Sequence, residues 1–199
     1  MNYQVFETVK MKVELGDDHI IKTFKPAYGS KKRYEAEKEA LQILKNVQGI
    51  PEIIEINDDI PFIKMTRLPG KPVNQLSVKE ALGVKTIITA VLEKGVARHS
   101  LPVRDILSDE SENVGIVDFE RVTIRKNSNP ITWHIAKKVA FFHLARLLFE
   151  HQPSLLSKKD QVAVATGFKV RAIFKKYMGA RDAVRNFYRM LVNPVRDSM

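Results

Sequence analysis

Apolar and polar residues alternate along the first third of the chain in a pattern that predicts short strands and one helix. Residues 8–15 alternate with a period of two, and the apolar face of this half-buried strand contains Val9, Met11, Val13 and Leu15. The turn Gly16-Asp17-Asp18 and the apolar run at 19–24 predict a hairpin. Residues 31–47 have helical spacing. Two further strands are predicted at 53–56 and 62–66. We therefore expect an antiparallel sheet with one helix on it.

The pattern becomes mainly helical after the linker-like sequence Leu68-Pro69-Gly70-Lys71-Pro72. Ser77 and Glu80 form a capping box that predicts a helix to about Lys94, closed by Gly95. Further helices are predicted at 132–151, 157–178 and 180–192. The first of these is expected to bury Ile135, Val139, Phe142, Leu144, Leu147 and Leu148. The sequence thus predicts an α+β protein with a β-rich part, residues 1–68, and a helical part, residues 69–199.

A pair of acidic residues flanks a second predicted hairpin. Asp105 precedes the apolar run at 106–107, and Asp118 follows the apolar run at 114–117; the residues between the runs are polar. The two strand ends that carry these residues meet at one end of the hairpin. Carboxylates are typical ligands of Mg²⁺ in phosphoryl-transfer sites. This hairpin is the feature that most strongly suggests chemistry rather than packing.

Composition excludes several other classes of site. The chain of 199 residues contains no cysteine, so disulfides, thiolate catalysis and cysteine-bound zinc are excluded. His134, His143 and His151 are nine and eight positions apart and lack the i, i+4 spacing of a helical zinc site. The chain has no apolar run long enough to span a bilayer, and its first residues do not have the layout of a signal peptide. A cytoplasmic protein is therefore expected.

The formal charge of +10 is concentrated near the C-terminus, where residues 151–199 contain ten Lys or Arg and three acidic residues. Such an excess favours anionic partners, including an anionic membrane surface at the inner membrane face. Arg181, Arg185 and Arg189 recur every four residues and line one helical face. This face either binds phosphates or membrane, or it is the solvated side of a helix packed on the core. Aromatic residues are not interleaved with it, so nucleic acid is not favoured.

Several short motifs occur in a recognisable order. They are Ile20-Ile21-Lys22, Glu37 in the first helix, the strand 62–68, the run 98–107, and Asp118-Phe119-Glu120. Together they resemble the protein-kinase-like superfamily, and in particular its small atypical branches: lipopolysaccharide core kinases, RIO-type kinases and relatives of aminoglycoside phosphotransferases. The resemblance covers about residues 8–150. It implies a two-lobed kinase-like fold, a small antiparallel β lobe with one helix and a larger helical lobe, and it implies ATP and Mg²⁺ as cofactors.

The resemblance also implies roles for individual residues. Lys22 would contact the nucleotide phosphates and Glu37 would orient it, while Asp105 and Asp118 would bind Mg²⁺. The strand with Met65 and Arg67 would bind adenine through its backbone. His99 and Ser100 fall in the catalytic loop, where His99 either holds the loop or replaces the usual base.

Four departures from the family pattern keep other functions open. Ser100 stands where the family has a catalytic aspartate, and a glycine-rich phosphate loop is missing. Asp105 replaces an asparagine, and Glu120 replaces a glycine. The primary interpretation is an ATP-dependent phosphotransferase acting on a hydroxyl of a glycan resembling lipopolysaccharide core, or of a protein. The alternatives are a pseudokinase that binds a nucleotide or a partner, and a basic module that binds nucleic acid.

Overall fold

The computed structural model of the chain describes residues 4–162 and 164–167. Residues 1–155 form one compact unit, and residues 156–199 belong to a second unit. In the second unit, residues 158–162 and 164–167 are helical, in agreement with the start of the helix predicted at 157–178. The rest of that helix, the helix predicted at 180–192 and its arginine face lie outside the described residues. The boundary predicted at 68/69 falls inside the first unit and stays a prediction.

The first unit begins with a five-stranded antiparallel sheet. Its strands follow the order β1-β2-β3-β5-β4. Their bounds are Gln4–Glu7 (β1), Met11–Leu15 (β2), His19–Phe24 (β3), Ile53–Asn57 (β4) and Phe62–Thr66 (β5). The prediction of an α+β fold with an antiparallel sheet is confirmed. The central strand β3 pairs with β2 on one side and β5 on the other, so its middle residue Lys22 lies opposite Val13 and Ile63.

The strand predicted at 8–15 is shorter than expected. Thr8 turns the chain, because its hydroxyl oxygen accepts hydrogen bonds from the backbone N–H groups of Lys10 and Met11. A side chain that binds its own neighbouring backbone in this way competes with the strand ladder. The preceding residues then form β1, which runs antiparallel to β2. The alternation of residues did not reveal β1, since all four of its side chains are exposed.

Helix α1, Ser30–Ile43, packs on this sheet. Its buried face contains Tyr34, Glu37, Ala40 and Leu41, which recur at the three- and four-residue spacing of one helical face. The helix ends four residues earlier than predicted. Asn46 has a φ of 65° and Gly49 a φ of 81°, and these left-handed conformations are incompatible with a continuing helix.

The second half of the unit contains two long helices and short strands. Helix α2, Val78–Glu93, begins with the predicted capping box: Ser77 Oγ accepts from the N–H of Glu80, and the Glu80 carboxylate accepts from the N–H of Ser77. The strands are Lys71–Pro72 (β6), Val96–Arg98 (β7), Ile106–Ser108 (β8), Val114–Ile116 (β9) and Val122–Ile124 (β10). β8 and β9 form the predicted hairpin, β6 pairs with β8, and β7 pairs with β10. The segment predicted as a linker therefore contributes a short strand.

Helix α3, Pro130–His151, is capped by Asn129, whose side-chain oxygen accepts from the N–H of Thr132. Two of the residues expected inside are on the surface: Ile135 is 56 % exposed, and Val139 is also exposed. That part of the prediction is wrong. The buried face instead contains Ala136, Ala140, Leu144, Leu147 and Leu148. Positions 135 and 139 each precede an alanine of this face, Ala136 or Ala140, by one residue and so lie about 100° around the helix from that alanine. Because the face begins with these small residues, the large apolar side chains of the helix do not mark it. Across the described part of the chain, every helix is too short or too polar to cross a bilayer.

Candidate functional site

Lys22 lies at the centre of the five-stranded sheet with its ammonium group between two carboxylates. Its Nζ is 2.6 Å from Glu37 Oε2 and 3.0 Å from Asp118 Oδ1. The side chain is buried on the same face of β3 as Phe24, the face covered by α1. Burial by itself would lower the pKa of Lys22, but attraction to Glu37 and Asp118 outweighs it and the pKa is raised. Lys22 therefore carries a fixed positive charge at neutral pH.

Glu37 belongs to the buried face of α1 and is only 2 % exposed. Burial raises the pKa of this carboxyl group, and the attraction of Lys22 opposes that rise. The backbone N–H of Phe119 also acts to lower the pKa of Glu37. A glutamate flanked by Glu35 and Glu39 would ordinarily be a solvated helix residue. The register of the helix decides otherwise, because only position 37 shares the buried face with Tyr34 and Leu41.

Asp118 follows β9 in a left-handed backbone conformation with a φ of 71°. Such a φ is uncommon for a residue other than glycine, although aspartate and asparagine tolerate it best. The next residue, Phe119, is fully buried and anchors the loop. Partial burial opposes ionisation of Asp118, but Lys22 overcomes this effect and the pKa of Asp118 is lowered. The side chain remains 41 % exposed, so an ionised carboxylate is accessible from solvent.

Asp105 reaches the same end of the hairpin as Asp118. Ile106 pairs with Ile116 in the hairpin. The N–H of Val117 donates to the carbonyl of Asp105 at 3.0 Å, so the pairing extends to Asp105 itself and to the residue before Asp118. Burial raises the pKa of Asp105, and the nearby charge of Asp118 raises it further against the attraction of Arg98. The Asp105 side chain is 13 % exposed. The hairpin thus brings the two acids together.

Arg98 is a member of the site that sequence reasoning did not single out. Its three guanidinium nitrogens donate to the Asp105 carboxylate at 2.8 Å, the Val117 carbonyl at 2.9 Å and the Ser100 carbonyl at 3.2 Å. The guanidinium also lies 4.9 Å from the ring centre of Phe119. Arg98 therefore joins the chain before β8 to the chain after β9. In the sequence, the burial of Arg98 could have been suspected only from its position directly after the apolar pair Val96-Ala97, at the end of a short buried strand.

The remaining predicted residues lie around this group. His99 is exposed, and its Nε2 is 2.9 Å from Thr123 Oγ1. Partial burial lowers the pKa of His99, and the positive charges of Arg121 and Lys32 lower it further. Ser100 is half-buried and contributes its carbonyl oxygen to Arg98.

Met65 and Arg67 are not part of the charged group. The Met65 side chain is buried, and this residue pairs with both Ile20 of β3 and Ile53 of β4. The Arg67 N–H donates to the Asp18 carbonyl at 2.9 Å, and its guanidinium donates to the Gly16 carbonyl at 2.7 Å. Met65 therefore contributes to the core of the sheet, and Arg67 holds the turn between β2 and β3.

We call Lys22, Glu37, Arg98, Asp105 and Asp118 the charged cluster. It combines two fixed cations with three carboxylates in a partly dehydrated setting, where electrostatic interactions are stronger than in bulk water. The chemistry of its donors suits a hard divalent cation, since Mg²⁺ prefers carboxylate oxygens and is often held by one or two of them. Asp118 fits this role best because it is ionised and exposed, whereas Asp105 is already bound by Arg98. Among the described residues, no three or more His, Cys, Asp or Glu side chains are grouped so that they could hold a metal ion by themselves.

Comparison with known proteins identifies the fold. No family model and no curated protein matches the chain. A co-crystal structure of WbdD with the kinase inhibitor LY294002 is similar with a TM-score of 0.54 and 14 % identity, covering 82 % of this chain and 44 % of that one. A second structure of WbdD has a TM-score of 0.53 and 13 % identity, covering 92 % and 50 %. A third, described as the bifunctional kinase-methyltransferase WbdD, has a TM-score of 0.49 and 12 % identity, covering 88 % and 47 %.

The chain spans about half the length of the WbdD chains that it matches. At these identities the likeness concerns the fold, which is an α+β fold of the protein-kinase-like type. The fold class expected from the sequence is therefore confirmed.

Proposed function

We propose that this protein is an ATP-dependent phosphotransferase. The observation that carries the proposal is the position of the Lys22 ammonium, which is buried between Glu37 and Asp118 although the three residues come from distant parts of the chain. A buried lysine whose charge is held by two carboxylates is suited to bind phosphate oxygens. Phosphoryl transfer depends mainly on such positioning and on stabilisation of developing negative charge.

Each member of the charged cluster has a defined part in this proposal. Lys22 binds nucleotide phosphates, and Glu37 fixes its direction through the 2.6 Å ion pair. Asp118 holds Mg²⁺ together with the phosphates, with Asp105 beside it. The ion would neutralise charge on the transferred phosphoryl group. Arg98 fixes Asp105 and the loop of Asp118 relative to each other through its three hydrogen bonds. The strand that contains Met65, and Arg67 after it, would lie at the adenine.

The acceptor in this proposal is a hydroxyl group on an anionic molecule, either a glycan resembling lipopolysaccharide core or a protein. The excess of basic residues, with a formal charge of +10, favours an anionic acceptor. The likeness in fold to WbdD, of which one solved structure contains a kinase inhibitor, supports a kinase role at the level of the fold. His99 and Ser100 would belong to the catalytic loop, where His99 either holds the loop or replaces the usual base.

A second candidate is a pseudokinase that binds nucleotide without turnover. Ser100 favours it, because a hydroxyl cannot accept a proton at neutral pH as a carboxylate can. The engagement of Asp105 by Arg98 also favours it, since one of the two expected metal ligands is already paired. Transfer through a loose transition state needs little help from a general base, so Ser100 would slow the reaction without abolishing it.

Calorimetry with ATP, with and without Mg²⁺, together with turnover of labelled ATP, tests the proposal. We expect ATP binding that is strengthened by Mg²⁺ and slow turnover that rises in a Ser100→Asp variant. Lys22→Met is the variant expected to lose ATP binding. Lys12→Met, on the neighbouring strand β2 and outside the charged cluster, is its matched control and should bind ATP as the original chain does. Binding without turnover in both the original chain and Ser100→Asp would establish the second candidate. Absence of binding would refute both.

A further inference from the structure

Helix α1 has a second charged side chain on the face that carries Glu37. Arg33 lies one turn before Glu37, at the spacing that places two residues on the same side of a helix. Its Nε is 3.9 Å from Oε2 of Glu120, the residue that follows Phe119. The helix therefore meets the loop of Asp118 at two successive turns, through Glu37 and through Arg33.

The two side chains of this Arg33–Glu120 pair are largely buried, with 19 % of Arg33 and 17 % of Glu120 exposed. The Nε of Arg33 and the Oε2 of Glu120 are both inaccessible to solvent and lack a hydrogen-bond partner. The 3.9 Å separation is longer than a hydrogen bond, so the interaction between these atoms is electrostatic. Arg33 is oriented by a second contact, in which its Nη2 donates to the Tyr28 carbonyl at 3.2 Å. Removing either charge would leave the other buried without compensation.

The segment between Asp118 and α3 also contacts α1 through the side chain of Glu39. Eleven residues separate Asp118 from the start of α3 at Pro130. Within this short segment, Glu39 of α1 contacts Lys126 at 2.8 Å and Asn127 at 2.6 Å, at the opposite end from Asp118. The Arg33–Glu120 pair is the charged contact next to the cluster. Glu120 stands where the kinase-like motif has a glycine, so this contact depends on a side chain that glycine would not supply.

We propose that Arg33 and Glu120 are positioning residues that hold α1 against the loop of Asp118, so that Glu37 keeps Lys22 directed at the nucleotide phosphates. Neither residue touches the nucleotide. They act through Glu37, whose ion pair with Lys22 requires the helix to stay in place. The effect on the nucleotide rests on the proposed function, whereas the effect on the helix does not.

Hydrogen exchange of the α1 amides in the ligand-free protein tests the helix part. Glu120→Arg and Arg33→Glu each place two like charges together, and we expect about tenfold faster exchange over residues 34–43 in each, which is the effect of about 1.4 kcal/mol on local opening. The double variant Arg33→Glu/Glu120→Arg restores the attraction and should return to within about twofold of the original rate. Gln42→Arg introduces a charge at an exposed position of the same helix, away from the Arg33–Glu120 pair, and should leave the rate unchanged.

Glu120→Gln keeps the shape of the side chain and provides the readout if a charge reversal prevents folding. It should accelerate exchange in the same direction, by a smaller factor. Unchanged exchange in Glu120→Gln, or a double variant that exchanges as fast as the single variants, would overturn the proposal.

The affinities for ATP and adenosine test the nucleotide part. Because the pair acts through Glu37 and Lys22, Glu120→Gln should weaken ATP binding by about threefold, in line with its smaller effect on the helix, and leave adenosine binding unchanged. Equal weakening of both ligands would indicate general destabilisation and would overturn the positioning role. If the original protein binds neither ligand, the proposed function fails, and the exchange measurements alone decide whether the pair holds the helix.

Discussion

Lys22 Nζ lies 3.0 Å from Asp118 Oδ1, although the two residues are 96 positions apart along the chain. Lys22 is fixed at the centre of the sheet by its pairing with Val13 and Ile63. Asp118 is fixed by the β8–β9 hairpin and by the buried ring of Phe119. Each partner is thus positioned by its own local structure, and their contact joins the sheet to the second half of the unit. Four predictions follow from this arrangement and the groups around it.

Replacing Lys22 with methionine should lower the free energy of unfolding by about 3 kcal/mol, because it leaves the buried Glu37 without its partner. Urea unfolding monitored by circular dichroism measures this loss. The double variant Lys22→Met/Glu37→Leu removes both charges and should recover most of the stability while remaining unable to bind ATP. A single variant as stable as the original chain would show that the ion pair is not buried as described.

The left-handed backbone of Asp118 allows its charge and its conformation to be tested separately. Asp118→Asn removes the charge but tolerates the φ of 71°, whereas Asp118→Ala adds a steric penalty of about 1 kcal/mol. We expect both variants to lose the strengthening of ATP binding by Mg²⁺, and the alanine variant to be the less stable in urea. Equal stability of the two variants would contradict the strained conformation.

Asp105 is expected to stabilise the buried Arg98 at least as much as it contributes to metal binding. Asp105→Asn removes the opposite charge but retains an acceptor oxygen for the guanidinium, and should cost about 1 to 2 kcal/mol. Asp105→Leu leaves the buried Arg98 charge unpaired and should cost about 3 kcal/mol. Denaturant unfolding of both variants tests this difference. A large loss in the asparagine variant would mean that the ionic charge itself, rather than the hydrogen bond, holds Arg98.

His99 should titrate below its ordinary pKa of 6.5, because partial burial and the charges of Arg121 and Lys32 disfavour its protonated form. In the unfolded chain it binds a proton more readily, so its contribution to stability is present above about pH 6.5 and is lost as the pH falls through the folded pKa. NMR titration of the imidazole measures the midpoint directly. Arg121→Gln should raise this midpoint, and a midpoint at or above 6.5 in the original chain would contradict the electrostatic environment described here.

Local patterns predicted much of the fold. The bounds of β3 and β5, the capping box of α2 and the hairpin between Asp105 and Asp118 were all correctly expected, because each depends on the spacing of neighbouring residues or on turn chemistry. Local patterns did not predict β1, whose side chains are all exposed, or the three-residue strands β7 and β10, which are too short to show a period. They also placed Ile135 and Val139 inside, because a helix rich in apolar residues does not reveal which side meets the protein.

The residues of the candidate site were likewise only partly identified from the sequence. Lys22, Glu37, Asp105 and Asp118 were identified as candidates through motifs in the expected order, and the structure places the four in one charged cluster. The Arg33–Glu120 pair was not identified, since its two members are distant in sequence and no short motif contains both. Arg98 was not identified although it shares the run 98–107 with its partner Asp105, because the pattern of residues does not reveal that its guanidinium is buried.

The amino-acid sequence alone determined the alternation of elements, the positions of the turns and the chemical inventory: lysine and carboxylates without cysteine. Those properties depend on backbone preferences and on residue types within a few positions. Only the tertiary structure decided which of three glutamates in α1 is buried, which arginine is enclosed and which acid remains exposed. Burial and charge pairing depend on what packs against each side chain, and in this protein the packing partners come from segments far apart in the chain.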